Sequence, residues 1–297
     1  MKQLIFEDAQ TIQAALHSQL LYLNQTAVGH LKRKHRPNES IHQARLCFKR
    51  CRAMLRLVRP GLKAADFEAF NAFYRNCGQS LGQMRDATAR LETLQLISKN
   101  RKAPETEQFV RQLTASLRKS QSAWKATGQQ EKEVSETIAK LLGFEDAIQG
   151  LELSGSASGV ITAGIRRLYR QGRKRKEELV DQPDDIGFHQ LRKTVKYLGY
   201  AFEALQYLYP AQMKSQLNEL VKLGRLLGSH HDLVILLDLL NESPAGRQRT
   251  NVRRSIIRRK KRLEKKILAD ADFMFLWKPA AFAGRVGVMV EYYRVRP

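Results

Sequence analysis

Apolar side chains return every three or four residues along almost the whole chain, and that period admits helices as the main element. The spacing predicts helices over 6–28, 41–58, 65–81, 87–97, 106–124, 160–180, 186–209, 213–241 and 251–268. Pro37, Pro60, Pro104, Pro183, Pro210 and Pro244 fall at the joints. Proline belongs there because inside a helix it removes a hydrogen bond and clashes with the preceding turn. Ser40 followed by Gln43 has the form of a capping box and marks the expected start of the second helix. Only the end reads differently. After Phe273–Trp277, the alternation of Val286, Val288 and Val290 points to an extended segment packed on the body. The expected fold class is all-α.

The length of 297 residues, 43% of them hydrophobic, is enough for a packed core and excludes global disorder. Lys and Arg number 52 against 29 Asp and Glu, a formal charge of +23. Charge of that size costs self-repulsion and demands a polyanionic partner, or at least tolerates one. The longest apolar run, Leu233–Leu237, is too short to cross a bilayer, so no membrane partner is expected. The N-terminus lacks the apolar stretch of a secretory signal. Three cysteines, Cys47, Cys51 and Cys77, make no disulfide framework and suit a reducing compartment, so a cytoplasmic location is expected. Cys47 and Cys51 fall on an apolar helix face and read as core.

The two halves repeat one another. His42-Gln-Ala-Arg45-Leu-Cys-Phe-Lys49 matches His189-Gln-Leu-Arg192-Lys-Thr-Val-Lys196, and Leu81-Gly82…Arg85-Asp86 matches Leu227-Gly228…His231-Asp232 at nearly the same offset. The pattern reads as a tandem duplication of a small helical bundle. The Gly- and Ser-rich stretch 150–159 is the expected flexible linker between copies. The expected units are 1–150, 151–270 and a tail, 271–297, with no assigned role.

At about 100° per residue, His42, Arg45, Lys49, Arg52 and Arg56 share one arc of their helix, with Phe48, Met54 and Leu55 opposite. His189, Arg192, Lys193 and Lys196 do the same in the second copy. Arg166, Arg170 and Arg173 form a third stripe, and Arg247, Arg254, Arg258, Lys261 and Lys265 a fourth. Solvated helix faces normally mix signs. Here residues 41–60 hold six basic side chains and no acid. Each histidine is expected in the first turn of its helix, where free N–H groups and the helix dipole favour an anion. Asp86 and Asp232 are expected to cap the helices that follow, or to hold an Arg of the stripe. The Leu-Gly pairs before them suggest close helix approaches.

On these residues the chain resembles the CHAD domain (conserved histidine α-helical domain) family. The resemblance rests on His42/Arg45/Lys49/Arg50/Arg52 with Leu81-Gly82…Asp86, and on His189/Arg192/Lys196 with Leu227-Gly228…Asp232. It covers roughly residues 6–270. It implies two pseudo-symmetric helical bundles around a basic central cleft, and non-catalytic binding of inorganic polyphosphate, or of sulfate or phosphate in its place. It carries no cofactor. Tyr197 and Gly199 stand where the first copy has Arg50 and Arg52, and His231 where it has Arg85, which implies an asymmetric site. Some relatives join this domain to a triphosphate-hydrolysing domain marked by Glu-x-Glu-x-Lys, a motif missing from this sequence.

The expected binding set is His42, Arg45, Lys49, Arg52, Arg56, Arg166, Arg170, Arg173, His189, Arg192, Lys193 and Lys196, extended by Lys222 and Arg225. Association with polyphosphate granules would follow. Two rivals come from other classes. An HD-type metal phosphohydrolase could draw on His189, His231, Asp232 and Asp238, although the cationic surroundings oppose a divalent ion. A nucleic-acid-binding protein would use the net charge at low salt. The stripes, however, carry few aromatics for base stacking.

Overall fold

Ten α-helices and one 3₁₀ turn make up the computed structural model over the residues it describes, 11–33, 35, 37–82, 111, 114–119, 127–241 and 246–294, apart from 111 and 114–119, which are helical but short. They are α1 (Thr11–Leu31), α2 (Pro37–Val58), α3 (Ala64–Ser80), α4 (Gln129–Leu142), α5 (Glu145–Gln149), α6 (Ala157–Asp181), α7 (Asp185–Ala204), α8 (Pro210–Asn241), α9 (Arg247–Met274) and α10 (Pro279–Arg294). The expected helix at 87–97, most of that at 106–124, and the Arg85-Asp86 motif lie outside the described residues. Among the described residues there is no strand, and no single helix is long and apolar enough to cross a membrane.

The two motif helices, α2 and α7, pack on each other and on α6, so one core runs through both sequence halves. Leu16 and Leu20 of α1, Cys51 and Leu55 of α2, Ile161 and Ile165 of α6, and Leu198 and Phe202 of α7 belong to that core and are at most 1% exposed. All three cysteines are buried thiols within it. The crossing of α2 and α6 depends on Gly164. A Cβ there would stand 1.7 Å from the Leu57 carbonyl oxygen, so no other residue allows the backbones this close.

Residues 150–156 are pinned rather than loose. His17 meets the Leu151 carbonyl at 2.7 Å, the Leu153 N–H donates to Gln13, and the Ser154 N–H donates to the Gly61 carbonyl. Gly155 takes a left-handed φ of 94°, which a side chain would strain. The Ser156 hydroxyl then accepts the Gly159 N–H and caps α6. Composition suggests a flexible linker, but these hydrogen bonds make it a fixed strap.

The expected extended tail is instead α10, lying along α6. Val286 and Val290 are buried while Val288 is 69% exposed. Positions four apart satisfy a helix as well as a strand, and burial of alternate valines decides for the helix. Tyr169 of α6 fastens this end. Its hydroxyl donates to the Met274 carbonyl at 3.0 Å and its ring stacks on Phe282. Phe275 fills the gap left by Gly172, where a Cβ would come within 2.3 Å of the ring.

Two helix starts also differ from expectation. α2 begins at Pro37, so Ser40 lies inside it, with its hydroxyl donating back to the Arg33 carbonyl. Proline at the first helical position, with its fixed φ, starts the helix one turn before the capping-box pattern. Asp232 sits within α8, which runs unbroken to Asn241, so it does not stand at the start of the helix that follows; its carboxylate acts instead on Arg192.

Candidate functional site

Helix α2 carries its basic stripe into a cavity of about 490 Å³ at the junction of the two halves. Arg45, Lys49, Arg52 and Arg56 line one wall, Arg75 of α3 a second, and Lys193 of α7 a third. Gln79, Gln171, Gln190, Thr194 and Tyr197 add polar atoms, and none of the described lining residues is a carboxylate. Through Arg56 and Gln171 the cavity continues into a smaller one, about 180 Å³, walled by Arg59, Arg167 and Asn71. Its one acid, Glu68, stands 3.7 Å from Arg59.

These cations are held in place. The Asn71 side-chain oxygen accepts from Arg52 Nε at 3.0 Å and from Arg56 Nη1 at 2.7 Å. Arg56 lies over the Tyr197 ring at 4.2 Å, with Arg52 at 5.8 Å. Arg45 donates to the Leu81 carbonyl at 3.1 Å, in the space left by Gly82, whose Cβ would approach the guanidinium to 3.4 Å. Burial lowers the Arg56 pKa, the tyrosine at 197 opposes that, and Arg52, Arg167 and Arg59 add repulsion. A half-buried guanidinium stays charged, so these groups repel one another and keep the cavity electropositive.

Not every expected residue faces this cavity. Arg166 and Arg170 are exposed on α6 and line neither cavity, whereas Arg167 does. Gly164 sets that phase: the face it turns toward α2 continues through Arg167, Leu168 and Gln171, three, four and seven residues on. Arg173 is engaged by Glu177 at 2.9 Å and by the Trp277 carbonyl. Lys222 points to Asp270 at 3.5 Å and Glu219 at 3.8 Å. Arg50, part of the motif, pairs with Glu203 at 2.9 Å.

Helix α7 divides its own stripe. Lys193 faces the junction, while Arg192 and Lys196, with Arg225 of α8, line a separate cavity between α7 and α8. His42 and His189 line none of these cavities, and both lie in the second turn of their helices, not the first. At α7 the terminal N–H of Gly187 is already taken by the Asp184 carboxylate. His189 lies 4.9 Å, ring to ring, from His231. Burial lowers the His189 pKa, reinforced by Lys193, Arg192 and Lys196, and burial with repulsion from Arg192, His189 and Lys196 pushes His231 down to about 4. Both imidazoles are therefore neutral at pH 7. At Gly228 a Cβ would meet nothing within 4 Å, so the expected close approach is not made there.

Among the described residues one cluster has metal-ligand geometry, Asp185, His230 and Glu264. Lys260 already donates to Asp185 and lies 3.3 Å from Glu264, occupying the place a cation would take. His189, His231, Asp232 and Asp238, which a metal phosphohydrolase would need, form no such cluster among the described residues.

Arg59, Arg75, Arg167, Asn71 and Tyr197 were not in the expected set. Gly164 was the available signal for Arg167. Arg75 is a single cation on an otherwise apolar and polar helix, so no stripe marked it.

The CHAD domain profile matches residues 14–241, leaving α9 and α10 outside the match. No curated protein matches the chain. Among solved structures, the CHAD domain from the plant Ricinus communis is similar at 18% identity, covering 93% of this chain and 94% of that one, with a TM-score of 0.53. PptA from Streptomyces chartreusis is similar at 16% identity, covering 93% and 98%, with a TM-score of 0.54. Those likenesses establish the shared fold, and the profile match over most of the sequence establishes that this chain belongs to the CHAD domain family.

Proposed function

We propose that the chain binds inorganic polyphosphate in the junction cavity and does not turn it over. One observation carries this reading. Six cations from three helices, Arg45, Lys49, Arg52, Arg56, Arg75 and Lys193, line one cavity whose described walls hold no carboxylate. The basic lining continues past Arg56 to Arg59 and Arg167, which suits a long, thin anion better than a single phosphate ion. Arginine offers forked donors to phosphoryl oxygens, and lysine a mobile point charge. A recessed track excludes a stiff duplex, which needs an open face.

Competition decides between polyphosphate and nucleic acid. Long-chain polyphosphate should displace duplex DNA from the protein, and its advantage should widen as salt is raised from low to near-physiological strength. Equal or better retention of DNA at the higher salt overturns the assignment. Incubation with polyphosphate and Mg²⁺ or Mn²⁺ should release no phosphate above the blank. Turnover abolished by His231→Ala would instead support a phosphohydrolase.

A further inference from the structure

The cavity between α7 and α8, about 370 Å³, is built differently from the junction cavity. The two helices run antiparallel, with Gly199 beside Leu220 and Gly224 beside Val195. That order sorts the lining by chemistry. Arg192, Lys196 and Arg225 gather at one end with Gly228, and Leu217, Leu220 and Val221 form the other end beside Tyr200. The one acid on the wall, Glu203, is paired with Arg50 at 2.9 Å. Asp232 lies close enough to act on both Arg192 and Lys196, but among the described residues neither they nor Arg225 forms an ion pair. The Arg192 Nε is shielded from solvent without a hydrogen-bond partner. Burial, with repulsion from Arg192, pulls the Lys196 pKa down to about 8 despite Asp232.

Three glycines within helices border this cavity, although glycine weakens a helix interior relative to alanine. Gly164, Gly172 and Gly187 are explained by packing, since a Cβ there would come within 1.7, 2.3 and 2.7 Å of a neighbour. Gly199 and Gly224 have nearest atoms at 4.0 and 3.8 Å, and Gly228 has none within 4 Å. Neighbouring atoms do not require these three, and all three border the open volume.

We infer that this cavity is a second binding site, for a small organic anion whose oxyanion head meets Arg192, Lys196 and Arg225 and whose compact apolar body lies against Leu217, Leu220 and Val221. A bare phosphate chain would satisfy only the cationic end and leave the apolar end wet. An uncharged apolar molecule would leave three cations with only Asp232 against them. The required ligand combines both, as an alkyl or aryl phosphate or a carboxylate does.

Hexyl phosphate, hexanoate, inorganic phosphate and hexanol titrated into the isotope-labelled full chain test this, with the backbone amide resonances of Gly199, Gly224 and Gly228 as the readout. Hexyl phosphate or hexanoate should bind about tenfold or more tightly than inorganic phosphate, and hexanol should leave the resonances unmoved. Comparing the two hexyl anions identifies the head group. Gly224→Leu, which fills the cavity, should abolish the shifts while leaving polyphosphate affinity within about twofold. If circular dichroism shows that variant unfolded, Gly228→Leu carries the same test. Equal affinity for hexyl phosphate and inorganic phosphate, or shifts that survive filling in a folded variant, overturns the site. Polyphosphate failing to bind would sink the junction assignment and leave these titrations readable.

Discussion

The outer face of α9 and the junction cavity are both strongly basic, and they differ in what surrounds each cation. On α9, Arg253, Arg254, Arg258, Arg259, Lys261, Arg262, Lys265 and Lys266 are all exposed and make no ion pair among the described residues. Water solvates each of them separately, so each adds only tenths of a kcal/mol toward a distant anion. At the junction fewer cations converge on one space: Arg45, Lys49, Arg52 and Arg56 are half-buried, Arg52 and Arg56 lie against Tyr197 and Asn71, and Arg75 and Lys193 reach the same space from exposed positions. On the proposed reading, the denser stripe is thus the poorer anion site. Convergence and partial burial matter more than the number of charges.

Breaking the junction itself should have the largest effect. Gly164→Val places a side chain where the Leu57 carbonyl already lies 1.7 Å from a Cβ, so α2 and α6 must separate. A loss of about 3 kcal/mol or more in chemical denaturation is expected, with polyphosphate binding lost alongside. Gly29→Ala in α1, where a Cβ meets nothing within 4 Å, should instead gain a few tenths to about 1 kcal/mol. Similar stabilities for the two variants would show that the crossing is not set by that glycine.

Removing charge sharpens the comparison directly. Lys49, Arg75 and Lys193, changed together to Ala, take one cation from each wall of the cavity without touching the Asn71 hydrogen bonds. Polyphosphate affinity should fall about 100-fold, at roughly 1 kcal/mol per contact for cations that are half-buried or exposed. Arg254, Arg258 and Arg262 changed to Ala remove the same charge from α9 and should cost about threefold or less. Comparable losses would mean that bulk charge governs binding.

The stacking ring gives a smaller effect. Tyr197→Ala frees Arg56 and Arg52 from the ring beneath them and should weaken polyphosphate binding about tenfold. Tyr197→Phe keeps the π face and should stay within about twofold of the parent protein. An equal loss in both would assign the role to the hydroxyl.

Tyr197 also shows where sequence reading stops. As a departure from the doubled motif it looked like a missing charge, yet the fold places it beneath two arginines of the other half. Helical period located most elements, because amphipathic burial imposes it locally. It erred at the tail, where valines four apart serve both periods, and in the α6 stripe, where a wheel has no reference direction until Gly164 supplies one. Arg192 and Lys196 share an arc with Lys193, and only the position of α8 separates them into another cavity. Lys222 is directed elsewhere by Asp270, far along the chain. Such partners come from tertiary packing and leave no local signal.

The smallest expected effect compares Lys193 with Lys196, one turn apart on α7 but lining different cavities. Lys193 is exposed at the junction, whereas burial holds the Lys196 pKa near 8, below the ordinary value of 10.5. A lysine whose pKa is lower folded than unfolded opposes folding while it is protonated in both states. That cost is complete below about pH 8 and disappears as pH rises toward 10.5, where the ammonium is neutral in either state. Lys196→Met keeps the stem and removes the charge, so at pH 7 it should raise Tm by about 2–4 °C. The gain should shrink steadily between pH 7 and 9.5. Lys193→Met should shift Tm by about 1 °C or less at every pH. A gain at Lys196 that is as large at pH 9.5 as at pH 7 would show that the methionine acts by packing alone and that no uncompensated ammonium is held between α7 and α8.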